Sequence, residues 1–168
     1  EVKVFDNQIY KLRALQKNVG AQIFTSIIQP RVLSKTLKNA DIVIGALHSK
    51  RNRPAMVVTE EMVSEMKPGS VIVDVSIDQG GCIETSAVTT HNNPVFIKHN
   101  VIHYCVPNIP SRVPQTASYA LSNFFTPVII DMGEEGGTYS FLKLNPAMRH
   151  GIYVFNGIII LRKRLVCD

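Results

Sequence analysis

Apolar runs that alternate with short helical patterns are the feature that most constrains the fold of this chain. Residues 41–47 (DIVIGAL) and 70–77 (SVIVDVSI) are apolar almost throughout, as is typical of strands buried on both faces of a sheet. Apolar residues recur at helical spacing in other segments, for example over residues 8–19. This alternation predicts a parallel sheet covered on both faces, so we expect the first two-thirds of the chain to form a doubly wound α/β layout.

The other predicted elements are short and complete this layout. The sequence predicts strands at residues 2–5, 21–28, 95–98 and 101–106, and helices at 8–19, 30–40, 60–66 and 114–125. Asn7 is the expected N-cap of the first helix, and Gly20 is its expected stop. After Gly81 the alternation weakens, and the residues beyond the last of these helices are less regular.

Composition narrows the class of protein. The 168 residues are 45% hydrophobic, which is enough for one domain with a core. The net charge is +5, but the basic clusters at residues 50–53 and 162–164 have no interleaved aromatic residues, so we predict no nucleic-acid partner. The start lacks a signal-peptide pattern and the longest apolar runs are far shorter than a membrane span, so we expect a soluble, cytoplasmic protein.

Cysteine and histidine usage gives no sign of a metal site or a disulfide framework. The three cysteines are an odd number without a C-x-x-C motif, and the histidines at 48, 91, 99, 103 and 150 have no ligand spacing. His103-Tyr104-Cys105 looks reactive, but strand alternation places Tyr104 on the face opposite its neighbours. We therefore interpret Cys105 as a packed structural residue rather than a nucleophile.

The stretch 71–90 (VIVDVSIDQGGCIETSAVTT) places two acids around the end of an apolar strand. Asp74 lies inside the run, so we expect its carboxylate to be paired with backbone or with a buried polar group. Asp78 lies at the mouth of the strand, before Gln79 and the glycines 80–81. Two interpretations of Asp78 remain open: a carboxylate that stabilises developing positive charge or transfers a proton, or a residue that merely caps a turn.

Three predicted strand ends have residues suited to a ligand. In open α/β sheets, ligands bind in the crevice beyond the carboxyl ends of the strands. One strand is followed by Asp6, an acid of the kind that binds ribose hydroxyls in dinucleotide folds, and another ends in the small residues of segment 45–48. The segment 76–81 follows a third strand, so these three places are expected to define one binding edge.

The sequences of several segments resemble those of the alanine dehydrogenase and nicotinamide nucleotide transhydrogenase family. The matching segments are GSVIVDVSIDQGGCIETS at 69–86, TTHNNPVF at 89–96 and VIHYCVPNIPSRVPQTASYALSN at 101–123. KPGSVIVDV and ADIVIGAL resemble the Rossmann core of that family, and IDQGGC is typical of its alanine dehydrogenase branch. The resemblance runs from Val2 to about Gly157. It implies a partial NAD-binding Rossmann domain over residues 1–112, and a helix and tail over 113–168.

The resemblance also implies roles for individual residues. Asp78 would be the catalytic aspartate beside the nicotinamide, and Asp6 would bind the adenosine ribose. Lys11 would lie near the adenosine end, and Asn108 would be the most chemically useful residue beside the nicotinamide. The implied NAD-contacting residues are Asp6, Lys11, Leu47, His48, Val75, Ser76, Ile77, Asp78, Val106, Pro107, Asn108 and Ile109.

The reaction implied by the resemblance is the NAD-dependent oxidative deamination of L-alanine to pyruvate and ammonia. The implied partners are this small-molecule substrate and, in a full-length homo-oligomer, further copies of the chain, typically six in all. An alternative from a different class remains open. The chain could be a non-catalytic nucleotide-binding or partner-binding module that has kept the sheet and lost the chemistry.

Departures from the family pattern lead to a further expectation about the fold. The resemblance implies that residue 1 lies at the family's second strand, so we expect a fragment without the family's glycine-rich G-x-G-x-x-G strand and N-terminal catalytic domain. Loop 48–55 has extra charge, Gln115 replaces a commonly basic residue, and the tail from Ile158 is unlike the family. We therefore expect a partial sheet without its first, central strand, and a chain that is unstable and catalytically silent by itself.

Overall fold

The computed structural model describes residues 1–20, 23–48 and 56–160. The basic clusters at 50–53 and 162–164, most of the atypical loop 48–55, the start of the predicted strand 21–28 and Cys167 lie outside the described residues. The chain divides into two compact units, Glu1–Ile109 and Pro110–Asp168. The assignment of residues 1–112 to NAD binding and of 113–168 to a returning tail stays a prediction.

The first unit alternates strands and helices in the predicted order. Its elements are β1 (Lys3–Asp6), α1 (Ile9–Val19), β2 (Phe24–Ile27), α2 (Pro30–Leu37), β3 (Ile42–Gly45), α3 (Glu60–Ser64), β4 (Val71–Asp74), β5 (Val95–Lys98) and β6 (Val101–Tyr104). Helix α1 ends at Gly20, the residue predicted to stop it, whose φ of 63° is left-handed. Helix α3 begins after Thr59, whose hydroxyl accepts a hydrogen bond from the Met62 amide.

The strands of this unit form two separate sheets. One has the order β1-β2, with the strands parallel, and the other has the order β3-β4-β6-β5. Within the described residues no strand pairs β1 with β3, as expected for a sheet without a shared central strand. Ile42 and Ile44 of β3 are 65% and 67% exposed, so this edge strand presents apolar side chains to solvent.

Strand β5 differs from the other strands of its sheet in direction, which the sequence did not predict. It pairs with β6 in antiparallel register, whereas β3, β4 and β6 are parallel to one another. Only His99 and Asn100 connect the two strands, and both have positive φ values, 54° and 61°. Two consecutive residues with positive φ form the turn that is typical of a β-hairpin. A parallel pair is excluded because it would need a crossover connection of a dozen or more residues.

Two further boundaries differ from the predictions made from sequence. The predicted strand 70–77 ends at Asp74, and residues Val75–Gln79 form a 3₁₀ turn of five residues. The Asp74 carboxylate caps this turn by accepting from the Ser76 amide at 3.0 Å. Asn7 does not cap α1. Instead Asp6 Oδ1 accepts from the amide of Gln8 at 2.7 Å.

The core of this unit lies between the sheet β3-β4-β6-β5 and helices α2 and α3. Its buried apolar side chains include Leu33, Leu37, Val63, Ile72, Ile83 and Val101. Ile72 of β4 and Val101 of β6 are fully buried, as expected for central parallel strands. This packing fixes the strand ends at which the functional residues lie.

The second unit is mainly helical. It contains α4 (Pro114–Glu134), α5 (Thr138–Leu144), α6 (Pro146–Arg149), and a hairpin of β7 (Val154–Phe155) and β8 (Ile158–Ile159). Helix α4 continues beyond the predicted end at Phe125 and through Pro127, which lies inside the helix. A proline removes one helical hydrogen bond without obliging the helix to stop. Among the described residues, no helix combines the length and apolar character needed to cross a membrane.

Candidate functional site

The candidate site is built on the carboxyl ends of three neighbouring parallel strands. β3, β4 and β6 lie side by side in parallel register, so the residues that follow them emerge at one edge of the sheet. These residues are 46–48 after β3, the 3₁₀ turn Val75–Gln79 after β4, and 105–109 after β6. This is the edge where open α/β sheets bind ligands.

Asp74 is the buried acid of this edge. Its side chain has no exposed surface, and its carboxylate accepts hydrogen bonds from the amides of Ser76 and Cys82, at 3.0 Å and 3.1 Å, and from the hydroxyl of Ser86 at 2.8 Å. The expectation that Asp74 is paired with backbone and buried polar groups is confirmed. These donors replace the water that a carboxylate loses on burial.

Asp78 is the exposed acid of the same turn. Its Oδ1 accepts a hydrogen bond from the backbone N–H of Asn108 at 3.0 Å, which joins the end of β4 to the end of β6. Asn108 has a φ of 53°, a left-handed conformation that asparagine tolerates better than most residues. The acid that caps the 3₁₀ turn is Asp74 and not Asp78. The carboxylate of Asp78 is exposed at the edge of the sheet.

Two polar contacts join the end of β3 to the same turn. The Ser76 hydroxyl donates to the carbonyl of Leu47 at 2.9 Å, and Gln79 Nε2 lies 3.0 Å from Nδ1 of His48. The structure thereby brings together five of the residues predicted from the resemblance. They are Leu47, His48, Ser76, Asp78 and Asn108.

The apolar residues of the predicted set differ in exposure. Val75 is 43% exposed, whereas Ile77 and Val106 are buried. Pro107 and Ile109 are half-buried. Val75 therefore presents a hydrocarbon surface at the site, while Ile77 and Val106 are packed in the interior.

Asp6 and Lys11 are not linked to this group by any hydrogen bond among the described residues. Asp6 ends β1, in the smaller sheet, and its Oδ1 accepts from the Gln8 amide. Lys11 lies exposed on α1. Both stay predicted ribose-side and adenosine-side contacts.

Other reactive side chains near the site are buried. Burial raises the pKa of the Cys82 and Cys105 thiols above their ordinary value, which disfavours the thiolate form that a nucleophile needs. Alternation along β6 buries His103 while Tyr104 is half-buried. These observations support the structural interpretation of Cys105.

Reasoning from the sequence missed part of the site. Gln79, Cys82 and Ser86 were not identified as contributors, yet the first contacts His48 and the other two bind Asp74. Gly45 was expected to admit a ligand, but a Cβ there would lie 2.7 Å from the Cys82 sulfur and 3.3 Å from Asp74 Oδ1. Residues 79, 82 and 86 all lie within the stretch 71–90, so considering every polar side chain of that stretch could have identified them.

The residues at this edge suit the nicotinamide half of a dinucleotide. An exposed carboxylate, an exposed valine and backbone segments from two neighbouring strands offer an anion, an apolar surface and peptide groups within one small region. Such a combination fits a flat, partly cationic ring that also has hydrogen-bonding groups.

Comparison with known protein families and curated sequences gives a consistent result. A model of the alanine dehydrogenase/PNT C-terminal domain matches residues 1–162. The alanine dehydrogenase of Bacillus subtilis (strain 168) is 41% identical over 158 residues, which are 94% of this chain and 42% of that protein. The alanine dehydrogenase of Mycobacterium tuberculosis (strain ATCC 25618 / H37Rv) is 37% identical over 167 residues, 99% of this chain and 44% of that protein. The chain thus spans less than half the length of these relatives.

Solved structures agree with the sequence matches. An L-alanine dehydrogenase structure superposes with a TM-score of 0.88 at 32% identity, covering 95% of this chain and 44% of that one. A transhydrogenase structure from Sinorhizobium meliloti gives a TM-score of 0.72 at 21% identity over 95% of this chain and 42% of that one, which shows a shared fold alone. The predicted partial Rossmann-like α/β fold is confirmed, and the chain belongs to the alanine dehydrogenase/PNT C-terminal domain family.

Proposed function

We propose that this chain performs the dinucleotide-binding part of NAD-dependent oxidative deamination of L-alanine. In that reaction L-alanine, NAD⁺ and water give pyruvate, ammonium, NADH and a proton. The observation on which the proposal depends is the exposed Asp78 carboxylate, held by the Asn108 amide at the shared edge of three parallel strands. The two curated relatives described above, which match 94% and 99% of this chain, are alanine dehydrogenases, and this favours L-alanine as the substrate.

The cofactor, when bound, would accept the hydride, and the residues of the chain would hold it and balance charge. Asp78 would lie beside the nicotinamide, where its negative charge favours the cationic oxidised ring and the positive charge that develops on the substrate nitrogen. Val75 would contact the ring, and the backbone around Asn108 would offer it hydrogen-bonding groups. Asp6 would accept hydrogen bonds from the ribose hydroxyls.

The decisive measurement compares the affinities of the purified 168-residue chain for NAD⁺ and NADH by titration calorimetry. Asp78→Asn should weaken NAD⁺ binding about tenfold more than NADH binding, because only the oxidised ring is cationic. Asp131→Asn is the matched control, since it removes an exposed aspartate on α4 in the other unit. Equal effects of Asp78→Asn on both nucleotides would contradict the assigned place of Asp78.

A second measurement separates the enzyme from the binding module. NADH formation is followed after L-alanine is added to the chain with NAD⁺. Production that depends on L-alanine supports the dehydrogenase and overturns the expectation that the isolated chain is catalytically silent, whereas nucleotide binding without turnover agrees with that expectation and supports a nucleotide-binding module. If neither nucleotide binds, the proposed function is wrong for this chain.

A further inference from the structure

Asp74 organises the turn that carries Asp78, although it is not exposed at the site itself. It is the last residue of β4 and is fully buried. Two of its donors flank Asp78 in sequence: the Ser76 amide lies before it and the Cys82 amide after it. One carboxylate therefore closes the intervening segment into a loop.

The two oxygens of Asp74 have different tasks in this loop. Oδ1 accepts from Ser76 at 3.0 Å, while Oδ2 accepts from the Cys82 amide at 3.1 Å and from the Ser86 hydroxyl at 2.8 Å. Inside the loop, the amide of Gly81 donates to the carbonyl of Ser76 at 3.0 Å. Both oxygens are thus needed to hold the two ends of the loop together.

The backbone around Asp74 is shaped to fit its carboxylate. A Cβ on Gly81 would lie 2.8 Å from Oδ2, and a Cβ on Gly45 would lie 3.3 Å from Oδ1. Both distances are too short for an ordinary contact of this kind. The glycine turn at Gly81 therefore approaches this buried acid as closely as only glycine allows, and the end of β3 at Gly45 lies in tight contact with it.

Asp78 depends on the loop for its orientation. Among the described residues, its side chain has one hydrogen bond, from the Asn108 amide. We propose that Asp74 is a positioning residue, which fixes the loop so that Asp78 is presented to the nicotinamide. This inference rests on the proposed function. It means that Asp74 determines where the negative charge of Asp78 lies relative to the nicotinamide ring.

The first test is hydrogen exchange of backbone amides in the 168-residue chain. Asp74→Asn keeps the side-chain volume but replaces one carboxylate oxygen by an NH₂ group. The backbone N–H of either Ser76 or Cys82 would then face a donor in place of an acceptor. Exchange should speed up about tenfold or more at the loop amides and at Asn108, while the sheet amide of Ile102 changes less than about threefold. Ser70→Ala is the control, because the Ser70 hydroxyl is buried and has no hydrogen-bond partner.

The second test is the ratio of the dissociation constants for NAD⁺ and NADH. Asp74→Asn should lower the preference for NAD⁺ as Asp78→Asn does, although Asp78 itself is intact, and Ser70→Ala should leave it unchanged. Parallel weakening of both nucleotides, or equal acceleration of all amides, would show a general structural role and overturn the proposal. So would unchanged exchange at Asn108.

Ser86→Ala covers the case in which Asp74→Asn does not fold. It removes one donor to Asp74 and leaves the Ser76 amide, the Cys82 amide and the Cys82 thiol in place, so the same selective pattern is expected at smaller amplitude, about threefold. No change in either measurement would overturn the proposal. If the unmodified chain binds neither nucleotide, the proposed function fails, and the exchange data alone then decide whether Asp74 holds Asn108 and the loop.

Discussion

Thr85 and His103 share a buried hydrogen bond, with Oγ1 and Nε2 2.8 Å apart. The other ring nitrogen, Nδ1, lies 3.0 Å from the carbonyl oxygen of Val101, and the ring of Phe96 stacks on the imidazole at 4.8 Å. A carbonyl can only accept, so the neutral ring has its proton on Nδ1, and Nε2 accepts from the threonine hydroxyl. Protonation of Nε2 would reverse the direction of this hydrogen bond and place a positive charge in a buried site.

Stability should therefore fall as the solution becomes acidic. Burial lowers the pKa of His103 below its ordinary value of 6.5, so the unfolded chain binds more protons than the folded chain between the two pKa values. The stability that depends on a neutral His103 is fully present above about pH 6.5 and is lost as the pH falls towards the pKa of His103 in the folded chain. Urea midpoints at about pH 7.5 and pH 5.5 measure it. His103→Gln should reduce the difference between them; an undiminished difference would assign the effect to other groups.

Gly81→Ala should cost more stability than Gly69→Ala. Both glycines have left-handed φ values, 76° and 81°, but a Cβ on Gly81 would meet Asp74 whereas one on Gly69 would meet nothing within 4 Å. We expect about 1 kcal/mol for Gly69→Ala from backbone strain, and about 2–4 kcal/mol for Gly81→Ala from strain and overpacking. Urea unfolding of the two variants gives the comparison. Equal losses would mean that the loop can move away from Asp74.

Asn108→Gly should leave the NAD⁺ preference within about twofold of the unmodified chain. Glycine keeps the N–H that Asp78 accepts and adopts a φ of 53° without strain, so this variant removes only the side chain. Asp78→Asn, which removes the charge that this N–H holds, is the contrasting variant and should lower the preference. A loss of NAD⁺ preference in Asn108→Gly would instead indicate that the asparagine side chain contacts the nucleotide.

Cys82 and Cys105 should react with thiol reagents only as the chain unfolds. Both are buried, and burial raises their pKa, so neither access nor thiolate formation is favourable. Labelling with iodoacetamide at mildly alkaline pH, followed by peptide mass spectrometry, distinguishes each cysteine. Rapid labelling of Cys105 in the folded chain would revive the nucleophile interpretation.

The sequence was informative where local pattern and burial agree. The apolar runs predicted β3 and β4, glycine predicted the end of α1, and the isolation of Asp74 in an apolar run predicted its paired state. The end of β4 could not be predicted in this way, because it depends on hydrogen bonds from Cys82 and Ser86, which come from later in the chain. The direction of β5 was missed because periodicity gives no strand direction, and the turn at 99–100 contains no glycine.

The 3₁₀ geometry of Val75–Gln79 has a consequence for the shape of the site. With three residues per turn, side chains three positions apart lie above one another, so Val75 and Asp78 share the outward side while Ser76 and Ile77 are buried. A continued strand would instead have sent residues 75 and 78 to opposite faces of the sheet. An aromatic ring resting on this ridge would meet an isopropyl group and a negative charge side by side, so hydrophobic contact and ionic attraction would select the same orientation.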